Sequence, residues 1–197
     1  MTKNKIVCLI PARSGSTRIY NKNIIKINNK SLISYALNSA IKSKLVEKVY
    51  VSTNTKKIRN VVRKFSSKKI IITSRSKKSE TQHAKTELLL NEFCNRFEFD
   101  ILVLLQLTNI FISSKILNMA INKFIEPFNY NPLKRPRTQD LKNFFLENGS
   151  FYIFTRKGYF NYKNRIHGKT AYFEMPKKSY FDIDTLEDLK IVRKLVK

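Results

Sequence analysis

The chain has 197 residues, 42% of them hydrophobic, enough for one domain with a sizeable core and too apolar for a disordered polymer. Thirty-nine Lys and Arg against 14 Asp and Glu leave a formal charge of +25, which favours anionic partners. The Lys residues are spread over nearly every segment beside abundant Asn and Ile. They read as compositional drift rather than a nucleic-acid stripe, so nucleic acid is an unlikely partner.

The first apolar run, Lys5–Pro11, predicts a strand. It is too short for a signal peptide, and no run approaches membrane-spanning length, so a cytoplasmic protein without a membrane partner is expected. Behind it comes the loop Ala12-Arg13-Ser14-Gly15-Ser16-Thr17-Arg18, followed by Lys22-Asn23-Ile24. A backbone turning at Gly aims N–H groups into a concavity, hydroxyls add donors, and Arg and Lys add charge matched to phosphate. An ordinary strand-to-helix loop with solvated basic residues is the plain alternative. Only four Gly exist, at 15, 149, 158 and 168, which excludes both G-x-G-x-x-G and G-x-x-x-x-G-K-[ST] fingerprints.

Ser31 can cap a helix over Leu32–Lys42. Lys48–Ser52 predicts a second strand, and Thr53-Asn54-Thr55 a cap for a helix over Lys56–Phe65. Lys69–Thr73 is a third strand, and Thr81–Arg96 a helix after a polar start. Asp100–Gln106 is near-continuously aliphatic, which suits a central parallel strand covered on both faces. Ser113 or Ser114 opens a helix to about Phe124. This alternation predicts an α/β domain with right-handed crossovers and a mainly parallel sheet. Ligands of such sheets sit beyond the carboxyl ends of the strands, which brings 12–23, Ser52–Asn54 and Gln106–Asn109 to one edge.

Residues 127–140 carry no helical or strand period and read as a basic linker or flap. Asn148-Gly149-Ser150 is a turn into a further strand, 157–165 has no clear period, and Ala171–Met175 reads as a short strand. Cys8 and Cys94 lack zinc or redox spacing and read as reduced core thiols. Near the C-terminus, Asp182 and Asp184 face one side of an extended chain, and a divalent cation relieves their repulsion; such oxygen ligands suit Mg²⁺. Asp184 or Thr185 can also cap the last helix, with Asp188 completing a capping box.

Taken together, Ile10–Ile19 with Lys22-Asn23-Ile24, Val51-Ser52-Thr53, Arg75, Leu104-Leu105-Gln106 with Thr108, Arg137 with Gln139-Asp140, Asn148-Gly149-Ser150 with Tyr152-Ile153, and Asp182-Ile183-Asp184-Thr185 before Glu187-Asp188-Leu189 resemble the acylneuraminate cytidylyltransferases. The resemblance covers almost the full length, and its first and last motifs are the most specific. It implies a three-layer α/β/α sandwich of nucleotide-sugar transferase-like, Rossmann-type fold, as one domain over 1–197. It implies transfer of CMP from CTP to a sialic-acid-like, nine-carbon 2-keto acid, with pyrophosphate leaving, Mg²⁺ as cofactor and a possible homodimer. By the same resemblance Arg13, Ser14, Gly15, Ser16, Arg18, Lys22, Asn23 and Arg75 bind the nucleotide. Gln106, Arg137 and Gln139 face the sugar, and Asp182 and Asp184 hold the metal. Arg13, Lys22 and the two aspartates carry the catalysis.

This sequence departs from the family's pattern in places. Thr17 stands where Lys is common, Tyr20 where Pro is usual and Asn54 where Asp is usual, while Leu107–Ile112 replaces a Pro-Thr-Ser-Pro-Leu-Arg run. Between Phe124 and Leu133 the family carries a further strand and the start of a protruding arm, so 125–147 is expected to be a shortened arm or flap. Losing a strand exposes neighbouring backbone unless another segment fills the gap. A 3-deoxy-manno-octulosonate-type cytidylyltransferase, or a nucleotide-binding relative without full activity, are the alternatives.

Overall fold

In-and-out alternation along the first strand sets the layers of the protein. The computed structural model describes residues 4–13, 15–16, 18–81, 84–126 and 147–196. In β1 (Ile6–Pro11), Ile6, Cys8 and Ile10 enter one apolar cluster while Val7 and Leu9 enter another on the opposite face. All five are at most 4% exposed, as a strand covered on both sides requires.

After β1 and the basic loop, a 3₁₀ turn at Lys22–Ile24 leads into a small antiparallel hairpin, β2 (Lys26–Ile27) and β3 (Lys30–Ser31). Its turn residues Asn28 and Asn29 have φ of 44° and 59°, the left-handed pair that a two-residue hairpin turn needs and that Asn tolerates. Helix α1 (Leu32–Lys42) follows, and Ile33, Ala36, Leu37 and Ala40 bury its inner face. Ser31 precedes it as expected, but its hydroxyl pairs with Ser34 rather than with the helix backbone.

The next units are β4 (Lys48–Ser52), α2 (Lys56–Arg63), β5 (Ile70–Thr73), α3 (Lys77–Glu80), α4 (Thr86–Arg96), β6 (Ile101–Leu105) and α5 (Ser114–Ile125). The helix expected over Thr81–Arg96 after a polar start forms from Thr86 onward as α4, and α3 is a separate turn that ends before Thr81. Ser76 caps α3 by accepting from Ser79 N, and Thr81 turns extended at φ −60° and ψ 154°, which stops it. Ser113 caps α5 by accepting from Ile116 N at 3.2 Å. Last come β7 (Phe151–Thr155), α6 (Arg156–Tyr162) and α7 (Leu186–Leu195). The strand expected over Ala171–Met175 does not form. Phe173 instead packs on Phe151, with ring centroids 6.2 Å apart, and Met175 packs on the core, so alternation there serves packing without a ladder.

The sheet runs β5-β4-β1-β6-β7, with the first four strands parallel and β7 antiparallel to β6. Helices α1, α2 and α5 cover one face, α4 and α6 the other. The expected three-layer, mainly parallel sandwich is what forms. A third apolar cluster joins Ile19, Ile27, Leu32 and Ile110 to Ile183, Leu189 and Val192, and so fastens the C-terminal segment over the carboxyl ends of β1 and β6. The arm or flap expected over 125–147 falls mostly on 127–146, outside the described residues, as do Arg137, Gln139 and Ser14. Cys8 and Cys94 are buried and free, and burial pushes the Cys94 thiol up to about 12. No helix among the described residues is long and apolar enough to cross a membrane.

Candidate active site

Hydrogen bonds at the carboxyl ends of the strands splay three segments around one cavity. Ala12 N donates to Ser52 O at 3.0 Å, Thr53 N to Thr73 O at 2.9 Å, and Gln106 N to Ser150 O at 2.9 Å. Each strand is thus held to its neighbour one residue past its end, and the segments after β1, β5 and β6 line the opening while residues 53–55 after β4 do not. The cavity measures about 430 Å³. From the loop after β1 it takes Arg13, Gly15, Ser16, Arg18, Lys22 and Asn23; Arg75, Gln106, Thr108 and Asp184 face them. Of the residues expected to bind nucleotide, all that are described gather here.

The loop is braced internally. Gly15 has φ +86°, a left-handed conformation that an L side chain resists, although open space surrounds the position. Asn23 Nδ2 donates to Arg13 O at 2.6 Å and Arg13 Nη1 to Thr81 O at 2.8 Å. Asn23, expected to bind the nucleotide, thus uses its amide to close the loop on itself.

Arg75 is held from three sides. Its backbone N donates to Asn54 Oδ1 at 2.9 Å, its carbonyl accepts from Asn54 Nδ2 at 3.0 Å, and its Nη2 donates to Ser79 O at 2.7 Å. Asn54 Nδ2 also reaches Glu80 Oε2 at 2.7 Å. Burial lowers the Arg75 pKa, the nearby Arg13 charge adds to that, and Glu92 and Glu80 oppose it. Arg75 Nε is buried without a hydrogen-bond partner. A cation so poorly compensated by its own protein is suited to an anionic ligand.

The C-terminal carboxylates enter from the far side. Ile183 is fully buried and its N–H donates to Thr108 O at 2.9 Å, which holds the segment extended with Asp182 and Asp184 on its other face. Asp184 Oδ1 accepts from Lys22 Nζ at 2.7 Å, and Asp184 Oδ2 lies 3.4 Å from Arg18 Nη2. Lys22 is nearly covered there, its side chain only 12% exposed. Asp182 does not line the cavity of the loop cations but a second one of about 280 Å³, with Glu147, Asn148, Tyr180, Phe181 and Asp188. Its Oδ1 is buried without a partner. Burial pushes the Asp182 carboxyl up, against a hydrogen bond from Thr108, with Asp184 and Asp188 adding to the rise and Lys22 opposing it. The capping box also forms: Asp188 N donates to Thr185 Oγ1 at 3.2 Å and Asp188 Oδ2 accepts from Thr185 N at 2.7 Å. The two readings of this segment are therefore compatible. Asp188 and Thr185 serve the helix, while Asp184 lines the cavity with the loop cations and Asp182 lines the second one.

No cluster of three or more His, Cys, Asp or Glu side chains placed for a metal exists among the described residues. A hard divalent cation that keeps its waters and shares ligand phosphates needs only one or two carboxylates. The Asp182–Asp184 pair, with one buried carboxylate oxygen unpartnered, fits that mode. Thr108 and Asn54 belong to segments expected at the ligand edge but were given no role there, and Glu80 was not expected at all. Thr108 was legible as the residue two after Gln106, on the same face of an extended chain, whereas Glu80 carried no sequence signal.

The family profile described as Cytidylyltransferase matches residues 7–125. The chain is 27% identical over 227 aligned residues to pseudaminic acid cytidylyltransferase of Campylobacter jejuni, covering 98% of this chain and 97% of that one. That alignment is longer than this chain, which is the shorter of the two. It is 29% identical to N-acylneuraminate cytidylyltransferase B of Danio rerio over 95% of this chain, spanning half of the fish protein. Among solved structures, CMP:2-keto-3-deoxy-manno-octonic acid synthetase complexed with CTP superposes with a TM-score of 0.68 at 20% identity, covering 98% of each chain. The profile match takes in the basic loop, Arg75 and Gln106 and extends over more than half of the chain, which belongs to the cytidylyltransferase family.

Proposed function

We propose that this protein transfers CMP from CTP to a sialic-acid-like 2-keto nonulosonic acid and releases pyrophosphate. One observation carries the reading. Arg13, Arg18, Lys22 and Arg75 surround a single cavity at the strand ends, and Asp184 stands at its rim. Four cations around one cavity suit a triphosphate, whose transfer needs positioning and charge neutralisation more than covalent chemistry. The names of relatives aligned over nearly the whole chain support an acidic nine-carbon acceptor.

In this reading the loop cations and Arg75 hold the phosphates, and Gln106 and Thr108 face the reacting end of the acceptor. The anomeric hydroxyl attacks the α-phosphorus and releases its proton to solvent, while the bond from that phosphorus to the bridging oxygen breaks and pyrophosphate leaves. Asp182 and Asp184 would hold Mg²⁺, which supplies charge neutralisation for the phosphates when bound. Lys22 and Arg18 hold Asp184 in place before ligands arrive.

The test is pyrophosphate release from CTP and Mg²⁺ with a panel of pseudaminate, N-acetylneuraminate and 3-deoxy-manno-octulosonate. Turnover of a nine-carbon acid supports the proposal. Turnover of the eight-carbon acid alone, or CTP binding without any turnover, overturns it.

A further inference from the structure

We infer that Asn109, a buried residue outside the cavity lining, is a positioning residue that holds the carboxylate-bearing segment over the site. The inference rests on the reading that Asp182 and Asp184 serve the metal of a bound nucleotide. Asn109 is 2% exposed, and its amide is nearly fully used. Its Nδ2 donates to Ser150 Oγ at 2.8 Å and to Ser179 O at 2.6 Å, and its Oδ1 accepts from Phe111 N at 3.0 Å. One side chain therefore joins the loop after β6, the start of β7 and the 3₁₀ turn Lys177–Tyr180 that leads into Asp182.

The strap has two further ties. Asn148 Nδ2 donates to the same Ser179 carbonyl at 3.0 Å, and Ile183 N donates to Thr108 O at 2.9 Å. Both lie beside Asn109: Thr108 precedes it, and Asn148 Oδ1 accepts from Ser150 N at 3.1 Å. Gln106 N binds Ser150 O at 2.9 Å, so the residue expected to face the acceptor belongs to the same network. The distance between the strand end carrying Gln106 and the segment carrying Asp182 and Asp184 is thus set through Asn109. Burial makes the arrangement sharp, because Asn109, Ser150 and Ser179 are withdrawn from water, with the Ser179 carbonyl shared between Asn109 and Asn148.

Asn109→Asp tests this at constant shape. It keeps the acceptor for Phe111 N and puts an oxygen where both donors were, against the Ser179 carbonyl. Hydrogen exchange of the Ile183 and Asp184 amides should quicken at least tenfold, with β1 unchanged. Mn²⁺ affinity in the presence of CTP should fall at least tenfold, while CTP binding without metal stays within about twofold. Ser39→Ala is the control for a merely structural loss. Ser39 is buried and donates to Ile112 O a few residues on, without reaching the strap. It should lower the melting temperature and leave both readouts at wild-type values. Asn109→Ser, which retains one donor, should give intermediate exchange and keeps the test open if the Asp variant fails to fold. Wild-type exchange at Ile183 in the Asn109 variants, or a loss of Mn²⁺ affinity equalled by Ser39→Ala, overturns the inference. Neither readout needs turnover, so a wild-type protein that releases no pyrophosphate contradicts the proposed reaction separately.

Discussion

Lys22 Nζ and Asp184 Oδ1 lie 2.7 Å apart although 162 residues separate them in the chain. The contact closes the site across its whole sequence span, from the loop after β1 to the segment before α7. Lys22 is nearly covered but the Asp184 side chain is 44% exposed, so solvent screening holds this charge-assisted bond to about 1 kcal/mol. Lys22→Ala should lower kcat for nucleotidyl transfer about 100-fold, the scale of losing one charge-stabilising donor. Steady-state kinetics with varied CTP checks this, and unchanged kcat/KM contradicts the role given to Lys22.

Asn54 is a donor where the family's pattern carries an acid, and Glu80 supplies the reason. Its Nδ2 faces two acceptors, Arg75 O and Glu80 Oε2. Asn54→Asp would set an oxygen against both, at a cost of roughly 2–3 kcal/mol, and loosen Arg75. The expected outcome is a lower melting temperature and a raised KM for CTP. Glu80→Gln in the same chain restores a donor, so the double variant should recover about 1 kcal/mol in a thermodynamic cycle. Strict additivity would refute the coupling.

Glu92 makes the brace sensitive to acid. Partial burial alone pushes its carboxyl up, but hydrogen bonds from Ser76 and Ser79, with the Arg75 charge nearby, outweigh this and hold it below its usual range. A carboxyl depressed in the folded protein stabilises it above the unfolded value of about 4.3, and that stabilisation drains away as pH falls through the folded value. Glu92→Gln should therefore cost about 1 kcal/mol at pH 7 and progressively less below pH about 4. Denaturant melts across that range measure it; an equal cost at every pH would contradict the assignment.

Gly158 separates stability from chemistry. A Cβ there would lie 2.1 Å from His167 Nε2 and 2.9 Å from Thr155 Oγ1, away from the cavity. His167 is held by a contact with Asn164 O at 2.7 Å and stacks on Tyr162, so it has limited room to yield. Gly158→Ala should destabilise by roughly 1–3 kcal/mol with kcat per folded molecule unchanged. A fall in kcat at full folding would mean that α6 reaches the site.

The sheet was legible because its strands are covered on both faces and read as aliphatic runs bounded by polar ends. Ile101–Leu105 and Ile6–Pro11 are the clear cases. Where local chemistry competes, legibility ended. The Asn28-Asn29 hairpin is too short for a strand period, and α3 is one turn held by Ser76 and Glu92, a contact 16 residues apart. The loop cations were legible by type, yet their partners were not: nothing near Lys22 in sequence announces Asp184. Asn109 was legible as an edge residue within a substituted run, but its role lies in Ser150 and Ser179, which the fold alone brings to it.

The central claim is that the cation-lined cavity and the Asp182–Asp184 pair form one nucleotidyl-transfer site. Pyrophosphate release from CTP, Mg²⁺ and a nonulosonic acid, compared between wild type and Asp182→Asn, tests it most directly. The account predicts acceptor-dependent release by the wild type and a loss of at least about 1,000-fold in the variant, which keeps metal-free CTP binding. Equal release by both proteins, or release independent of the acceptor, would contradict it.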